Sequence, residues 1–383
     1  MTRRTHLTAT TASPAATQLA GPASASPSGS TVGHYEAVAR FWGPMPTGVT
    51  VSRRGRVFVN FPRWGDDVPF TVAELRGGKP VAYPDAEVNR EDSSDLAGHF
   101  QSVQSVVVDP VDRLWILDTG SPLFAGSSYG GPKLVAVDLR TDRIVRKILF
   151  PPEVAPANSC PDDVRFDLRR GAEGMAFITD SGGSNGVIVV DLATGRSRRR
   201  LAGHPSAFPD ERFPPVIAGE PFMVRPADAA PTYYETGSDG IALSADGTRL
   251  YYCPLSSRRL HSVSTDALAD PDATDAEVAA TVEDLGFKPM ADGLESDDKG
   301  RVYGGDLEHN VIWRRSPNGT YRTLAQGRDL LWADTLSVAS DRHLYAIASQ
   351  LNRLSPFHEG KDLSRKPYLL VRLPIDAGPV RLV

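Results

Sequence analysis

Four aspartates recur at one position of a repeated sequence pattern, where they could form an acidic reaction centre. Each repeat has a polar opening residue, an apolar strand, a turn and a second strand with one aromatic residue. The opening residues are Thr47, Gln104, Asp163, Asp239, Asp292 and Asp334. The aromatic residues follow 11, 11, 14, 12, 11 and 11 positions later, as Phe58, Trp115, Phe177, Tyr251, Tyr303 and Tyr345. Carboxylates at one register of a closed repeat meet in space, so we expect them to bind a cation or to retain protons.

The chemistry of such a centre depends on whether a metal ion is bound. The oxygen ligands Asp163, Asp239, Asp292 and Asp334 suit Ca²⁺, or alternatively Mg²⁺. A bound cation would polarise a carbonyl group and activate water, as in lactone hydrolysis. Without metal, Asp239 and Asp292 could act as acid and base and move a proton on a carbonyl-containing ring. In a third interpretation each aspartate only caps the turn before its strand.

Further side chains are predicted around this centre, at the ends of second strands. His309 is the third predicted catalytic residue, beside Asp239 and Asp292, and a solvated loop histidine is the alternative. Asp118 and Asp180 also read as plain turn residues. The predicted substrate-binding residues are Thr47, Gln104, Asn60, Asp118 and Asp180.

A closed ring of blades would position these residues. Successive openings lie 57, 59, 76, 53 and 42 residues apart, which is typical of four-stranded propeller blades with inserted loops. We predict an all-β, six-bladed β-propeller in which residues 35–40 and 368–373 share the sixth blade. The starts of first strands and the ends of second strands then lie on one face of the ring, where we expect the site. The long Pro-rich segment 204–231 is predicted to be functional, as a lid.

Composition narrows the class of partner. A net charge of -5 gives no electrostatic footprint for nucleic acid, and no segment approaches the roughly 18 apolar residues that span a bilayer. We expect a monomer that binds a small molecule and needs no organic cofactor. Cys160 and Cys253 could face each other across adjoining blades or remain two buried free thiols.

The first 33 residues differ from the rest of the chain. They are rich in Thr, Ala, Ser and Pro, so we predict a disordered leader, followed by the propeller over residues 34–383. Residues 2–8 resemble a twin-arginine export signal, and residues 23–25 resemble a small-residue cleavage site. Export is therefore the prediction, and a plain leader on a cytoplasmic protein is the alternative.

Several segments resemble the yellow/major royal jelly protein family, particularly its bacterial members. They are residues 114–120 (LWILDTG), 160–167 (CPDDVRFD), 176–181 (AFITDS) and 250–257 (LYYCPLSS). The likeness covers roughly residues 33–373. It implies a six-bladed propeller, mostly secreted members, and either dopachrome-converting tautomerases or ligand-binding and nutritive proteins without catalysis.

A more distant resemblance is to the senescence-marker-protein/gluconolactonase propellers, whose channel metal is held by Glu, Asn and Asp. Asp239-Gly240 resembles their Asn-Gly motif with Asp in place of Asn, and Asp292-Gly293 resembles their Asp-Gly motif. Thr47 stands where their first-blade Glu would fall, which departs from the pattern.

Together the residues and the resemblances favour an enzyme of the yellow/royal-jelly type. It would isomerise or tautomerise a small cyclic carbonyl compound in an acidic central-channel site. A metal-dependent lactonase is one alternative, and a small-molecule binding protein without catalysis is the other.

Overall fold

A computed structural model describes residues 33–383 of the chain. These residues form six four-stranded antiparallel sheets, and the first strands of neighbouring sheets contact one another around a central channel. This arrangement confirms the predicted all-β, six-bladed propeller. The predicted leader, apart from Gly33, and its twin-arginine pattern lie outside the described residues, so export stays a prediction. In the described part, no helix has the length and apolar character needed to cross a membrane.

Each blade is built in the order of the chain, from the channel outward, with one exception at the ring closure. The first strand of the chain is β1 (Glu36–Phe41). Blade one contains β2 (Gly48–Val51), β3 (Val57–Asn60), β4 (Val72–Arg76) and β5 (Lys79–Ala82). Blade two contains β6 (Val103–Val108), β7 (Arg113–Asp118), β8 (Lys133–Asp138) and β9 (Arg143–Leu149). Blade three contains β10 (Pro161–Asp167), β11 (Met175–Asp180), β12 (Gly186–Asp191) and β13 (Ser197–Arg200).

The segment after blade three carries two short hairpins. They are β14 (Val216–Ile217) with β15 (Glu220–Pro221), and β16 (Met223–Val224) with β17 (Thr232–Tyr233). Blade four contains β18 (Ser238–Leu243), β19 (Arg249–Pro254), β20 (Arg259–Ser264) and β21 (Glu283–Phe287). Blade five contains β22 (Leu294–Ser296), β23 (Val302–Asp306), β24 (Val311–Arg315) and β25 (Tyr321–Gln326). Blade six contains β26 (Ala333–Val338), β27 (His343–Ala348), β28 (Tyr368–Pro374) and β1.

Short helices occupy the connections. The α-helices are α1 (Ala86–Asn89), α2 (Thr265–Ala269) and α3 (Asp275–Ala279). Single 3₁₀ turns span Pro122–Phe124, Pro205–Ala207, Arg328–Leu330, Leu351–Arg353 and Ser355–Phe357.

The two ends of the described chain close the ring in blade six. Strand β1 pairs with β28 antiparallel, with Glu36 opposite Arg372, and these two side chains also form an ion pair at 2.6 Å. This confirms that the N-terminal and C-terminal strands share the sixth blade. Closure matters because it joins strands from distant parts of the chain in one blade; the free edges that remain are the outer strands of the six blades.

The core lies between the blades. The aromatic residue of the second strand is almost fully buried in every blade except blade four, where Tyr251 is partly buried. Trp115 of blade two stacks on Phe166 of blade three with ring centroids 5.1 Å apart. Each face of a blade therefore packs on its neighbour, as the alternation of apolar residues along these strands requires. The channel between the first strands is left for polar side chains.

Candidate functional site

β-Bulges place acidic side chains at one mouth of the channel. The first strands of blades two, three, four and six each contain one extra residue near their start, relative to the second strand. A bulge bends the strand and redirects the side chain it carries. Gln104 and Asp239 are the extra residues in blades two and four, since their neighbours pair directly with the second strand.

The register of blade three corrects the sequence prediction by one residue. Pro161 pairs with Asp180 just as Val103 pairs with Asp118, so Asp162, and not Asp163, occupies the position of Gln104. The Asp163 carboxylate instead accepts hydrogen bonds from Ser105 Oγ (2.6 Å) and from Arg165 Nη1 (2.8 Å). Because successive side chains point to opposite faces, this shift replaces Asp163 by Asp162 at the mouth.

Asp162, Asp239, Asp292 and Asp334 line one cavity of about 200 Å³, which we call the acidic pocket. None of the four is more than 7% exposed. The other lining residues are Gln104, Cys160, Ser181, Thr236, Trp64, Phe124, Tyr234, Leu255 and Leu351. The pocket thus has an acidic wall and an aromatic and aliphatic wall, a combination common in small-molecule sites.

Burial and mutual repulsion make these carboxyls hold protons more tightly than usual. Burial, with the charge of Asp292, raises the pKa of Asp162 to about 7. Burial, then the charges of Asp162 and Asp292, raises the pKa of Asp239 well above its ordinary value. The pKa of Asp334 is raised well above its ordinary value by burial and by Asp292. At neutral pH the pocket therefore retains protons, as closely spaced buried carboxyls do.

Asp292 differs from its neighbours because it has its own hydrogen-bond donors. Trp332 Nε1 donates to Asp292 Oδ2 at 2.5 Å, and Asp239 lies within hydrogen-bond reach of the Asp292 carboxyl. Lys288 is buried behind this pair, with Nζ donating to the carbonyls of Ser257 (3.3 Å) and Pro289 (3.2 Å). Burial still raises the pKa of Asp292, but these contacts oppose the rise. Asp292 is thus the best-stabilised carboxylate of the pair.

The carboxyls of the acidic pocket are the ligands that a channel cation would use. Its oxygen atoms suit Ca²⁺ or Mg²⁺, but across residues 33–383 no three Asp, Glu, His or Cys side chains are arranged to hold a metal ion. Hydrogen-bond contact between two carboxyls requires a shared proton. In their present arrangement the residues therefore do not fit a resident cation, and Asp163, a predicted ligand, points away from the pocket.

The predicted substrate-binding residues divide into two groups. Gln104 lines the pocket and donates from Nε2 to Asp162 Oδ1 at 2.9 Å. Thr47 and Asn60 are buried below it, where Asn60 Nδ2 donates to Thr47 Oγ1 (2.8 Å) and to the Val103 carbonyl (2.9 Å). This pair holds blade one against the bulge of blade two.

Asp118 and Asp180 have equivalent structural roles in blades two and three. Asp118 accepts from the backbone N–H groups of Gln101, Ser102 and Gly120 and forms an ion pair with Lys133 at 2.8 Å. Asp180 likewise accepts from the backbone of Cys160 and Gly182, and pairs with Arg199 at 2.6 Å. Neither carboxylate lines the acidic pocket, because its oxygen atoms are used to fix the surrounding loops.

His309 does not reach the carboxylates. Its side chain is 67% exposed, and Nδ1 lies 2.8 Å from Asp306 Oδ2 in the turn after β23. It contributes no lining to the acidic pocket. Its position is that of a solvated loop histidine, the alternative to a catalytic role.

The pocket also contains residues that the sequence reasoning missed. Asp162 could have been found, because an apolar strand residue follows each of Gln104, Asp239, Asp292 and Asp334 by two positions, and Val164 follows Asp162 by two. Trp64 and Phe124 carried no such signal, since they lie outside the repeat. The same holds for Trp332, which contacts Asp292 but does not itself line the pocket. Tyr234 and Thr236 follow the segment 204–231 predicted to be a lid, and no residue of that segment itself lines the pocket.

The two cysteines are separate free thiols. Cys160 lines the acidic pocket, whereas Cys253 is buried in the wall beside Gly240. The alternative of pairing across blades is therefore not what the structure shows.

Comparison with solved structures shows the same fold at low sequence identity. A gluconolactonase from Xanthomonas campestris superposes with a TM-score of 0.53 at 12% identity, covering 89% of each chain. The calcium-binding protein regucalcin from Agrobacterium tumefaciens superposes with a TM-score of 0.51 at 13% identity, covering 90% of this chain and 95% of that one. At these identities the likeness concerns the fold alone.

Sequence comparison identifies the family. Protein yellow from Drosophila erecta and from Drosophila melanogaster are each 31% identical over 236 residues, which is 57% of this chain and 41% of the fly protein. The chain thus matches less than half the length of these relatives. The family model described as major royal jelly protein matches residues 101–369, which is most of the propeller, and the chain belongs to the major royal jelly protein family.

Proposed function

We propose that this protein is an enzyme that isomerises a small cyclic carbonyl compound by acid–base catalysis in the acidic pocket. The observation that carries the proposal is that the buried carboxyls of Asp239 and Asp292 line the same cavity and shift each other's pKa. Two carboxyls in contact are most stable with one proton between them. Such a pair supplies an acid and a base at the same place.

Asp239 and Asp292 together can supply both proton transfers that a tautomerisation requires. Protonated Asp239 donates its proton to the carbonyl oxygen of the ring, while ionised Asp292 takes a proton from the adjacent carbon atom. The product is the enol tautomer, and the proton then returns from Asp292 to Asp239 within the pair. Trp332 supports the assignment of Asp239 as the acid and Asp292 as the base, because its indole N–H stabilises the charged form of Asp292.

The shape of the pocket supports a compact, ring-shaped substrate. The cavity of about 200 Å³ is lined by Trp64, Phe124 and Tyr234 as well as by the carboxyls. An apolar wall binds the face of a ring and keeps water from the reacting atoms. We propose that the protein performs this reaction as a monomer, because the pocket is lined by residues of one chain.

The test is a panel of cyclic quinonoid compounds and lactones, assayed with purified protein. Asp239→Asn and Asp292→Asn should each lower turnover of a responding compound by at least about 100-fold, since each removes an acid–base group. Asp272→Asn is the matched control, because Asp272 is exposed in the loop after α2, and its turnover should equal that of the wild type. If compounds bind but none is converted, the protein is a small-molecule binding protein without catalysis.

Lactone hydrolysis is the second candidate, because the same carboxylate base could activate a water molecule. Turnover of lactones but not of tautomerisable rings would favour it. A cation-dependent version would require the pocket carboxyls to release their protons. We expect purified protein to contain no stoichiometric Ca²⁺ or Mg²⁺ and to melt at the same temperature with and without EDTA. A stoichiometric metal whose removal lowers the melting temperature would support the metal-dependent lactonase.

A further inference from the structure

Two aromatic side chains from neighbouring blades stack on each other beside the acidic pocket. Trp64, in the connection after β3, and Phe124, in the connection after β7, stack with ring centroids 4.8 Å apart and planes inclined by 23°. Both line the pocket.

The two halves of this stack are supported very differently. Trp64 follows Arg63, whose buried guanidinium donates to the backbone carbonyls of Phe100, Gln101 and Asn89 at 2.7 to 2.9 Å. That network fixes the backbone on the Trp64 side.

Phe124 is held much less firmly. Its side chain is 55% exposed, and that of the preceding Leu123 is 67% exposed. One backbone hydrogen bond, from Leu123 N–H to the Arg63 carbonyl (2.8 Å), ties this turn to the Trp64 side. Few buried contacts and exposed backbone are the features of a segment that opens locally.

The backbone of the Phe124 side is also strained. Leu123 and Phe124 have φ angles of 56° and 57°, a left-handed conformation that bulky side chains rarely adopt. Strain of this kind persists where the surroundings impose it, and it is relieved when the segment moves. Here the stack with Trp64 is a contact that holds the strained turn closed.

We propose that Trp64 and Phe124 form an aromatic gate, opened by movement of residues 121–126, that selects by size the compounds reaching the acidic pocket. This inference rests on the proposed function only in taking the acidic pocket as the ligand site. It does not depend on the reaction proposed there. It would select ligands in the same way for an enzyme and for a binding protein. Phe124 is then the moving part, and Trp64 is the fixed part.

Cys160 provides a test that does not depend on turnover. It lines the pocket beyond the gate, and the chain contains just one other cysteine, Cys253. A Cys253→Ala background therefore reports on Cys160 alone. Labelling rates are measured with small iodoacetamide and with bulky fluorescein maleimide at one pH, followed by mass spectrometry.

We expect Phe124→Ala to increase the rate of maleimide labelling by about tenfold or more, and iodoacetamide labelling by less than about threefold, because local opening limits the larger reagent most. Phe287→Ala removes a 71%-exposed aromatic ring on β21 and should change neither rate. Circular dichroism verifies that each variant is folded. Equal rates for Phe124→Ala and the background with both reagents would overturn the gate. Faster labelling without any substrate turnover would keep the gate and reject the proposed catalysis.

Discussion

At the scale of single residues, the acidic pocket depends on a difference between chemically identical groups. Asp239 is surrounded by other carboxyls, whereas Asp292 accepts a hydrogen bond from Trp332. Trp332 is fully buried with φ at 58° and packs against Phe222. A bulky residue held in the left-handed region is typical of a site where geometry is imposed by function. Trp332 is therefore a positioning residue for Asp292.

Replacing the indole tests this role. Trp332→Phe should lower the turnover number by about tenfold or more with KM nearly unchanged, because it removes the donor that orients the base. Stability should fall by about 1 to 3 kcal/mol, the usual cost of leaving a buried partner unsatisfied.

Trp115→Phe is the matched control for this change. Trp115 Nε1 donates to Asp109 Oδ2 at 2.8 Å and is also buried, but it lies outside the acidic pocket. We expect a similar loss of stability and no change in turnover. Equal effects of both variants on turnover would contradict a positioning role for Trp332.

The raised pKa of Asp162, to about 7, predicts a pH dependence of stability. The folded protein keeps a proton on Asp162 up to about pH 7, whereas the unfolded chain releases it above about pH 4. Because the folded state then binds more protons, the unfolding free energy falls as the pH rises from about 4 to 7. Asp162→Asn removes the effect. Relative to the wild type, the variant should gain about 1 to 4 kcal/mol between pH 4 and pH 8, measured by urea denaturation. Parallel profiles of unfolding free energy against pH for the wild type and the variant would contradict the raised pKa of Asp162.

At the scale of strands, the β-bulges decide which side chains enter the channel. Asp162 and Asp163 are neighbours of the same type, yet one faces the acidic pocket and the other pairs with Arg165. A repeat pattern cannot distinguish them unless it is anchored on the first apolar residue of the strand. The bulge fixes this register through backbone pairing.

The two neighbours should therefore respond differently to the same substitution. Asp163→Asn removes the nearer ion partner of the buried Arg165 guanidinium, at 2.8 Å, and leaves Glu295 at 3.8 Å. It should lower the unfolding free energy by about 2 to 4 kcal/mol at pH 7. Asp162→Asn should be neutral or stabilising at that pH. Denaturant titration of both variants distinguishes them, and a stabilising effect of Asp163→Asn would show that the register is wrong.

At the scale of the whole molecule, the ring is held closed by a strand from the start of the described chain. In β1, Ala39 is 6% exposed and faces the core, whereas Ala37 is exposed. Both lie opposite β28, beside Leu370 and Val371 respectively. A bulge between Ala37 and Ala39 places these residues, two positions apart, on opposite faces of the strand, so that Ala39 alone of the two packs against the ring.

Charged substitutions on the two faces of β1 test the closure. Ala39→Asp should lower the unfolding free energy by at least about 3 kcal/mol, because it buries an unpaired charge against β28. Ala37→Asp, two residues away on the solvent side, should change it by less than about 1 kcal/mol. Thermal and urea denaturation provide the measurement. Equal effects would mean that β1 does not seal the sixth blade.

The sequence by itself determined the propeller, the number of blades, the sharing of the sixth blade and the acidic character of one mouth. These follow from local features, namely strand alternation, turn residues and the spacing of repeats. Such features can be recognised in the amino-acid sequence without the tertiary structure. Tertiary structure decided the rest. It placed Asp162 in the acidic pocket in place of Asp163, assigned Asp118 and Asp180 to loop support, left His309 in solvent, and brought in Trp64, Phe124 and Trp332. The place of Asp162 depends on a bulge, which the repeat pattern reveals only when it is anchored on the first apolar residue of the strand. The other outcomes depend on contacts between distant connections, for which the repeat pattern carries no signal.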